Sequence, residues 1–153
     1  MGAKSLARPA TSLYDEDFTL WTAETARLLR EGRFAEIDAA HVAEEIEDLG
    51  KSQHRELFSR LTAILQHLLK WQQQPDRRSG SWKATIATQR AELEELFEQS
   101  PSVRGALHAS VIRAYRVAVV AAAAETDLPV ESFPRTCPFT PEQILAPDFF
   151  PGR

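Results

Sequence analysis

The sequence predicts an all-α fold: a helical bundle of four main helices, one of them long and central, closed by an ordered C-terminal strap rich in proline and phenylalanine. Three observations carry this. Apolar residues recur at spacings of three and four from Phe18 to Ala118, the period of a helix with one buried face. Start and stop residues punctuate that pattern at Ser12, Gly32, Asp38, Pro75 and Ser100-Pro101, in the roles helix ends require. Strand-like alternation, internal repeats and low-complexity segments are absent from the chain.

The elements follow in order. Ser12, with Asp15 three residues on, resembles a capping box, and the acid favours the positive end of the helix dipole. From there Phe18, Trp21, Thr25, Leu28 and Leu29 form one face, and Gly32 supplies a left-handed stop. Asp38 caps the next helix. Its stripe is Val42, Ile46, Leu49, Gln53, Leu57, Leu61, Ile64, Leu68 and Trp71. Unbroken from 38 to 73, it would be about 54 Å long. Gly50 is its weak point, at about 1 kcal/mol against alanine, and one continuous helix is expected.

Pro75 ends that helix, because the residue before a proline is pushed away from helical angles. Ser79 or Ser81 caps the third, whose stripe is Trp82, Ile86, Gln89, Leu93, Leu96 and Phe97. Ser100 as cap and Pro101 as first helical residue open the fourth. It carries Val103, Leu107, Val111, Ala114, Tyr115 and Ala118 inward and runs to about Thr126. The first helix is expected to pair with the early half of the second, and the third to return along its late half. The fourth then fills the remaining groove.

Beyond Leu128 prolines accumulate, yet Phe133, Phe139, Ile144, Leu145, Phe149 and Phe150 persist. A disordered tail would not carry that apolar load. Thr140-Pro141-Glu142-Gln143 supplies cap, first-turn proline and capping-box partner for one short final helix. Residues 12–153 are thus expected to form one domain, with the strap at 128–153, after a loosely ordered stretch at 1–11.

A chain of 153 residues can bury a proper core. The apolar share of 43% and charged share of 26% are those of an ordinary globular protein. A net charge of −4 does not suit a general polyanion binder, so nucleic-acid binding would need a local patch. The single cysteine, Cys137, excludes an internal disulfide and a thiolate zinc site within one chain. The longest apolar run, Val117 to Ala124, is far shorter than the roughly 20 residues of a membrane helix. "MGAKSLARPATS" lacks a signal-peptide core. A cytoplasmic location without membrane contact is expected.

A series of short motifs runs through the chain: Tyr14 with Asp17, "LLREG" at Leu28–Gly32, "EEIEDLGKS" at Glu44–Ser52 and "HLLKW" at His67–Trp71. Pro75, Ser81-Trp82, Gln89-Arg90, Pro101-Ser102 and "FPRTCPFTPEQIL" continue it. From about Tyr14 to Pro151 it resembles the bacterial family called domain of unknown function 29. That resemblance implies an all-helical fold and brings no catalytic residues with it. His54 stands where the family often has a lysine, and His41 is only loosely a family feature.

The richest chemistry lies in "HLLKWQQQPDRRSGSW", His67 to Trp82. Between Lys51 and Glu92 eight cations face three acids, a local +5 on an acidic chain. Lys70, Arg77, Arg78, Ser81, Trp82 and Lys83 are therefore the candidates for binding an anion or a partner. The free amides of a helix start suit phosphate, and Trp71 and Trp82 could stack bases. The plainer reading is a packed corner: Trp71 meets Trp82, His67 satisfies one hydrogen bond, and Lys70 snorkels outward.

Other constellations are weaker. His41, His54 and His67 are thirteen residues apart, about 20 Å and 220° along one helix, so they cannot share an ion. His41, Glu45 and Asp48 stack on one flank and are weak metal candidates, against the plainer expectation of no metal and no cofactor. The cluster Glu44, Glu45, Glu47 and Asp48 lacks a nucleophile or oxyanion hole beside it. Cys137 has no basic neighbour closer than Arg135 and reads as a small buried hydrophobe. The expectation is a non-enzymatic scaffold or interaction module, with a protein partner or a second copy of itself. Nucleic-acid or phosphate binding at the basic corner is the alternative.

Overall fold

The computed structural model describes residues 11–152, so all of the expected loose N-terminus except Thr11 lies outside the described residues. Six α-helices and no strand occur among them. The expected first helix is two. α1, Thr11–Glu16, includes Ser12 within it, so Ser12 does not precede the first turn. α2, Phe18–Arg30, starts afresh because Asp17 leaves helical angles at φ −151° and accepts a hydrogen bond from the Leu20 amide. A short carboxylate offers the backbone a local alternative to the next helical bond. Asp17 therefore takes the capping role expected of Ser12.

α2 ends as expected at Gly32, whose φ of +70° is costly for a residue with a Cβ. Gly32 N–H bonds to Leu29 and Arg33 N–H to Leu28, the paired bonds of a Schellman stop. After a 3₁₀ turn at Phe34–Glu36, the Asp38 carboxylate accepts from the His41 amide at 3.3 Å and starts α3. This helix, Ala39–Gln73, runs 35 residues without interruption through Gly50, about 52 Å.

The chain divides into two compact units, one ending at Gly50 and one beginning at Lys51. In the first, Trp21 and Leu28 are the buried hydrophobics among the described residues. An aromatic group assembles around them. Tyr14 stands edge-on to Phe18 and Trp21, with ring centroids 5.8 and 4.9 Å away, and lies flat on His41 at 3.9 Å.

The second unit has a continuous core. Leu57, Leu61, Ile64, Leu65, Leu68 and Leu69 of α3 are wholly buried. That stripe is wider than the sequence predicts, because α3 has neighbours on two flanks. Arg60 reaches Gln89 and Glu92 of α4, Gly80–Gln99, while Gln66 and Lys70 reach Glu125 of α5, Leu107–Thr126. The Ser79 hydroxyl accepts from the Trp82 amide and caps α4, which leaves Ser81 inside it. Ser100 opens a 3₁₀ turn, Pro101–Ala106, rather than an α-helix. Its hydroxyl does not cap but donates to Gln53 at 3.3 Å. α5 then turns Ala114, Ala118, Ala122 and Ala123 inward, small residues that permit close approach.

By length and composition, Pro101–Thr126 is also apolar enough to cross a membrane, with a mean hydropathy of 1.3 over its best window. Arg104, Arg113 and Arg116 interrupt it in sequence, which is why a search for an unbroken apolar run misses it. Of that window 44% is buried within the protein. The strap is ordered as expected. α6, Pro141–Leu145, has the full Thr140/Gln143 capping box, and Phe133, Phe139 and Ile144 are buried in the core.

Candidate functional site

At the corner between α3 and α4 two of the four candidate cations, Lys70 and Arg78, are occupied. Lys70 is buried rather than outward-pointing. It pairs with Glu125 and lies 4.5 Å from the centre of the Trp82 ring. Arg78 donates to the Trp71 carbonyl at 2.9 Å and to Pro151 at 3.5 Å, with its guanidinium 5.1 Å from the Trp71 ring. Gly152 beyond it has φ +78°, and a Cβ there would come within 3.0 Å of Arg78 Nη2. The Trp82 amide, one of the free donors that suited phosphate, is taken by Ser79.

The two indoles do not meet as expected. Trp71 packs on Phe150 of the strap at 4.9 Å, and Trp82 takes Lys70. The reason is tertiary: an aromatic of the strap, Phe150, packs on the Trp71 ring. His67 donates from Nδ1 to the Ala63 carbonyl at 2.8 Å, and burial holds its pKa below the usual imidazole value. Arg77, Ser81 and Lys83 remain exposed. Lys83 extends over the Trp71 and Phe150 rings at 5.7 and 5.9 Å.

The residue that organises this region is one the sequence reading passed over. Arg90, 6% exposed, donates to four carbonyls: Ile144 at 2.8 Å, Phe149 at 3.0 Å, Gln143 at 3.2 Å and Pro147 at 3.3 Å. Only a guanidinium offers that many donors in a planar fan. These are the carbonyls at and beyond the end of α6, where a helix carries partial negative charge. Burial lowers the Arg90 pKa. Its signal was the spacing Ile86, Arg90, Leu93, Phe97, which puts the cation on the inward face in place of Gln89. Beside it, a cleft of about 320 Å³ is bounded by Ala87, Ala91, Glu94, Arg104 and Leu145, with Arg104 lying 4.4 Å over the Phe97 ring.

Two of the weak metal candidates, His41 and Glu45, are engaged by other partners. His41 Nδ1 bonds to Asp38 at 2.6 Å, and that carboxylate raises the His41 pKa. Glu45 accepts from the Tyr14 hydroxyl at 2.5 Å, which pushes the phenol up to about 12. Among the described residues no three His, Cys, Asp or Glu side chains are arranged to hold a metal ion. The Cys137 thiol donates to the Phe139 carbonyl at 3.4 Å, and burial raises its pKa, the opposite of what a nucleophile needs.

Two surfaces stand out by exposure. In the first unit Phe18, Leu20, Leu29, Phe34, Ile46 and Leu49 are exposed, Phe34, Ile46 and Leu49 to more than 60%. They sit in a segment, residues 11–50, that carries eleven acids and three arginines. In the second unit the outer face of α5 exposes Ile112, Val117 and Val120. His108, Arg113 and Arg116 are exposed on that helix too, and no acid occurs from Leu107 to Ala124.

No curated protein and no solved structure matches the chain. The family described as "Domain of unknown function DUF29" matches residues 13–150, which is nearly the whole length and agrees with the motif series from Tyr14 onward. The chain belongs to that family.

Proposed function

We propose that the protein is a non-enzymatic interaction module, whose docking surface is the acidic, apolar face of its N-terminal unit. The observation that carries this is the exposure of six large hydrophobics in that unit against two buried ones. A compact unit that exposes more large hydrophobics than it buries offers apolar surface suited to a protein partner. The polar groups elsewhere support the same reading, since Arg90, Arg78 and Lys70 are engaged in holding the fold. The lone half-buried thiol of Cys137 suits a reducing cytoplasm. Binding of nucleic acid or phosphate at the α3–α4 corner ranks below it, because of that patch Arg77 and Lys83 are the cations left exposed.

The test is a photo-crosslinking amino acid placed at Leu49 and, as control, at the exposed Glu95, in the intact chain inside cells. A discrete adduct at position 49 and none at position 95 is expected. No adduct at either site, or the same adducts at both, would sink the reading.

A further inference from the structure

We infer that the partner on the N-terminal face is a second copy of this chain, contributing the outer face of α5. The inference rests on the interaction reading above and names its occupant. Like faces cannot supply it. Residues 11–50 carry a net −8, and two of their three arginines are already paired, Arg27 with Glu24 and Glu31, Arg33 with Glu31 and Glu36. Two such faces brought together would repel.

The outer face of α5 has the complementary composition. Ile112, Arg113, Arg116, Val117 and Val120 recur at helical spacing along one exposed stripe. That stripe borders a groove of about 390 Å³ in which Arg116 and Arg135 flank Val120, Val130 and Phe133. The acid on the groove is Glu131, and the Tyr115 hydroxyl is engaged by the Pro134 carbonyl at 2.7 Å. A groove lined by apolar residues and two arginines is complementary to Ile46 and Leu49, which are exposed on a helix carrying Glu44, Glu47 and Asp48. α5 also leaves Ile112, Val117 and Val120 49%, 47% and 61% exposed. The contact joins unlike surfaces, so two copies exchange it reciprocally or add head to tail.

The experiment is sedimentation velocity on the full chain from low to high micromolar concentration, at low and high salt. Glu44→Lys/Glu47→Lys reverses one face and Arg116→Glu/Arg135→Glu the other. Arg113 is left alone because it stacks on Phe58 at 5.2 Å. The wild type is expected to associate, and less so at high salt. Each variant alone should associate at least about tenfold more weakly. Mixing the two variants should restore association, which also proves both are folded. A wild type that stays monomeric, or association indifferent to both reversals, overturns the inference. A monomer whose Leu49 crosslinker still gives a discrete adduct of another mass overturns the self-partner and leaves the interaction reading standing. Loss of binding to phosphatidylserine vesicles in Arg116→Glu/Arg135→Glu, with self-association unchanged, would assign the α5 face to a membrane and overturn the inference as well.

Discussion

The two halves of α3 share one amphipathic stripe and meet opposite fates. Val42, Ile46 and Leu49 precede Gly50 and Gln53, Leu57, Leu61, Ile64 and Leu68 follow it, all at spacings of three or four. From Leu57 onward its leucines and Ile64 are wholly buried; before Gly50, Val42 is half-buried and Ile46 and Leu49 are 63% and 67% exposed. Helical period therefore determines which residues share a face, but not whether that face is covered. Cover comes from other elements, and α4, α5 and the strap supply it in the second unit. The uncovered stripe is the most informative feature of the molecule, because an amphipathic helix gains most of its stability by burying its apolar side.

The sharpest way to break this comparison is a matched pair of truncations. Leu61→Ala removes a wholly buried side chain and should cost about 3–4 kcal/mol in chemical denaturation. Ile46→Ala, in the dilute monomer, should change stability by less than about 0.5 kcal/mol. Similar costs for both would mean that the early stripe is covered within the chain.

A smaller effect is expected at Arg90. Arg90→Ala strands four carbonyls and should cost about 2–3 kcal/mol, with faster hydrogen exchange of the strap amides from Gln143 to Phe150. Arg90→Lys should recover only part of the loss, because an ammonium lacks the planar fan. Unchanged strap exchange in the alanine variant would show that the aromatic contacts alone hold the strap.

The smallest effect separates the units by pH. NMR titration should find His41 above the ordinary imidazole pKa, through its bond to Asp38, and His67 below it, through burial. His41 then favours the fold below about pH 6.5, and that contribution is lost as pH rises through its raised pKa. His67 favours the fold above about pH 6.5, and its contribution is lost as pH falls through its lowered pKa. Asp38→Asn should bring His41 down and leave His67 unmoved. If His41 does not move, its raised pKa comes from the neighbouring acids Glu44 and Asp15 rather than from Asp38.

Much of this fold was legible residue by residue. Gly32, Asp38, Ser79 and the Thr140/Gln143 box act where the sequence places them, because caps and stops depend on a few neighbours. The misreadings share one cause. Ser12 and Asp17 are both able caps, and local chemistry does not rank them. Ser100 looks like a cap, but its hydroxyl is drawn to Gln53 from 47 residues away. Of the candidate site, Arg77, Ser81 and Lys83 lie exposed. Lys70 and Trp71 are taken by Glu125 and Phe150, partners that no spacing within the corner could reveal, while Arg78 turns back on the Trp71 carbonyl.

The sequence by itself determined the helices, their faces and most of their ends, because those follow from the 3.6-residue period and from backbone groups that must be satisfied within a turn. Only the tertiary structure decided which stripe is covered, which cations are engaged, and that Arg90 anchors the strap. The Lys70–Glu125 pair and the Arg90 anchor depend on residues more than 50 positions apart, brought together only when the chain folds.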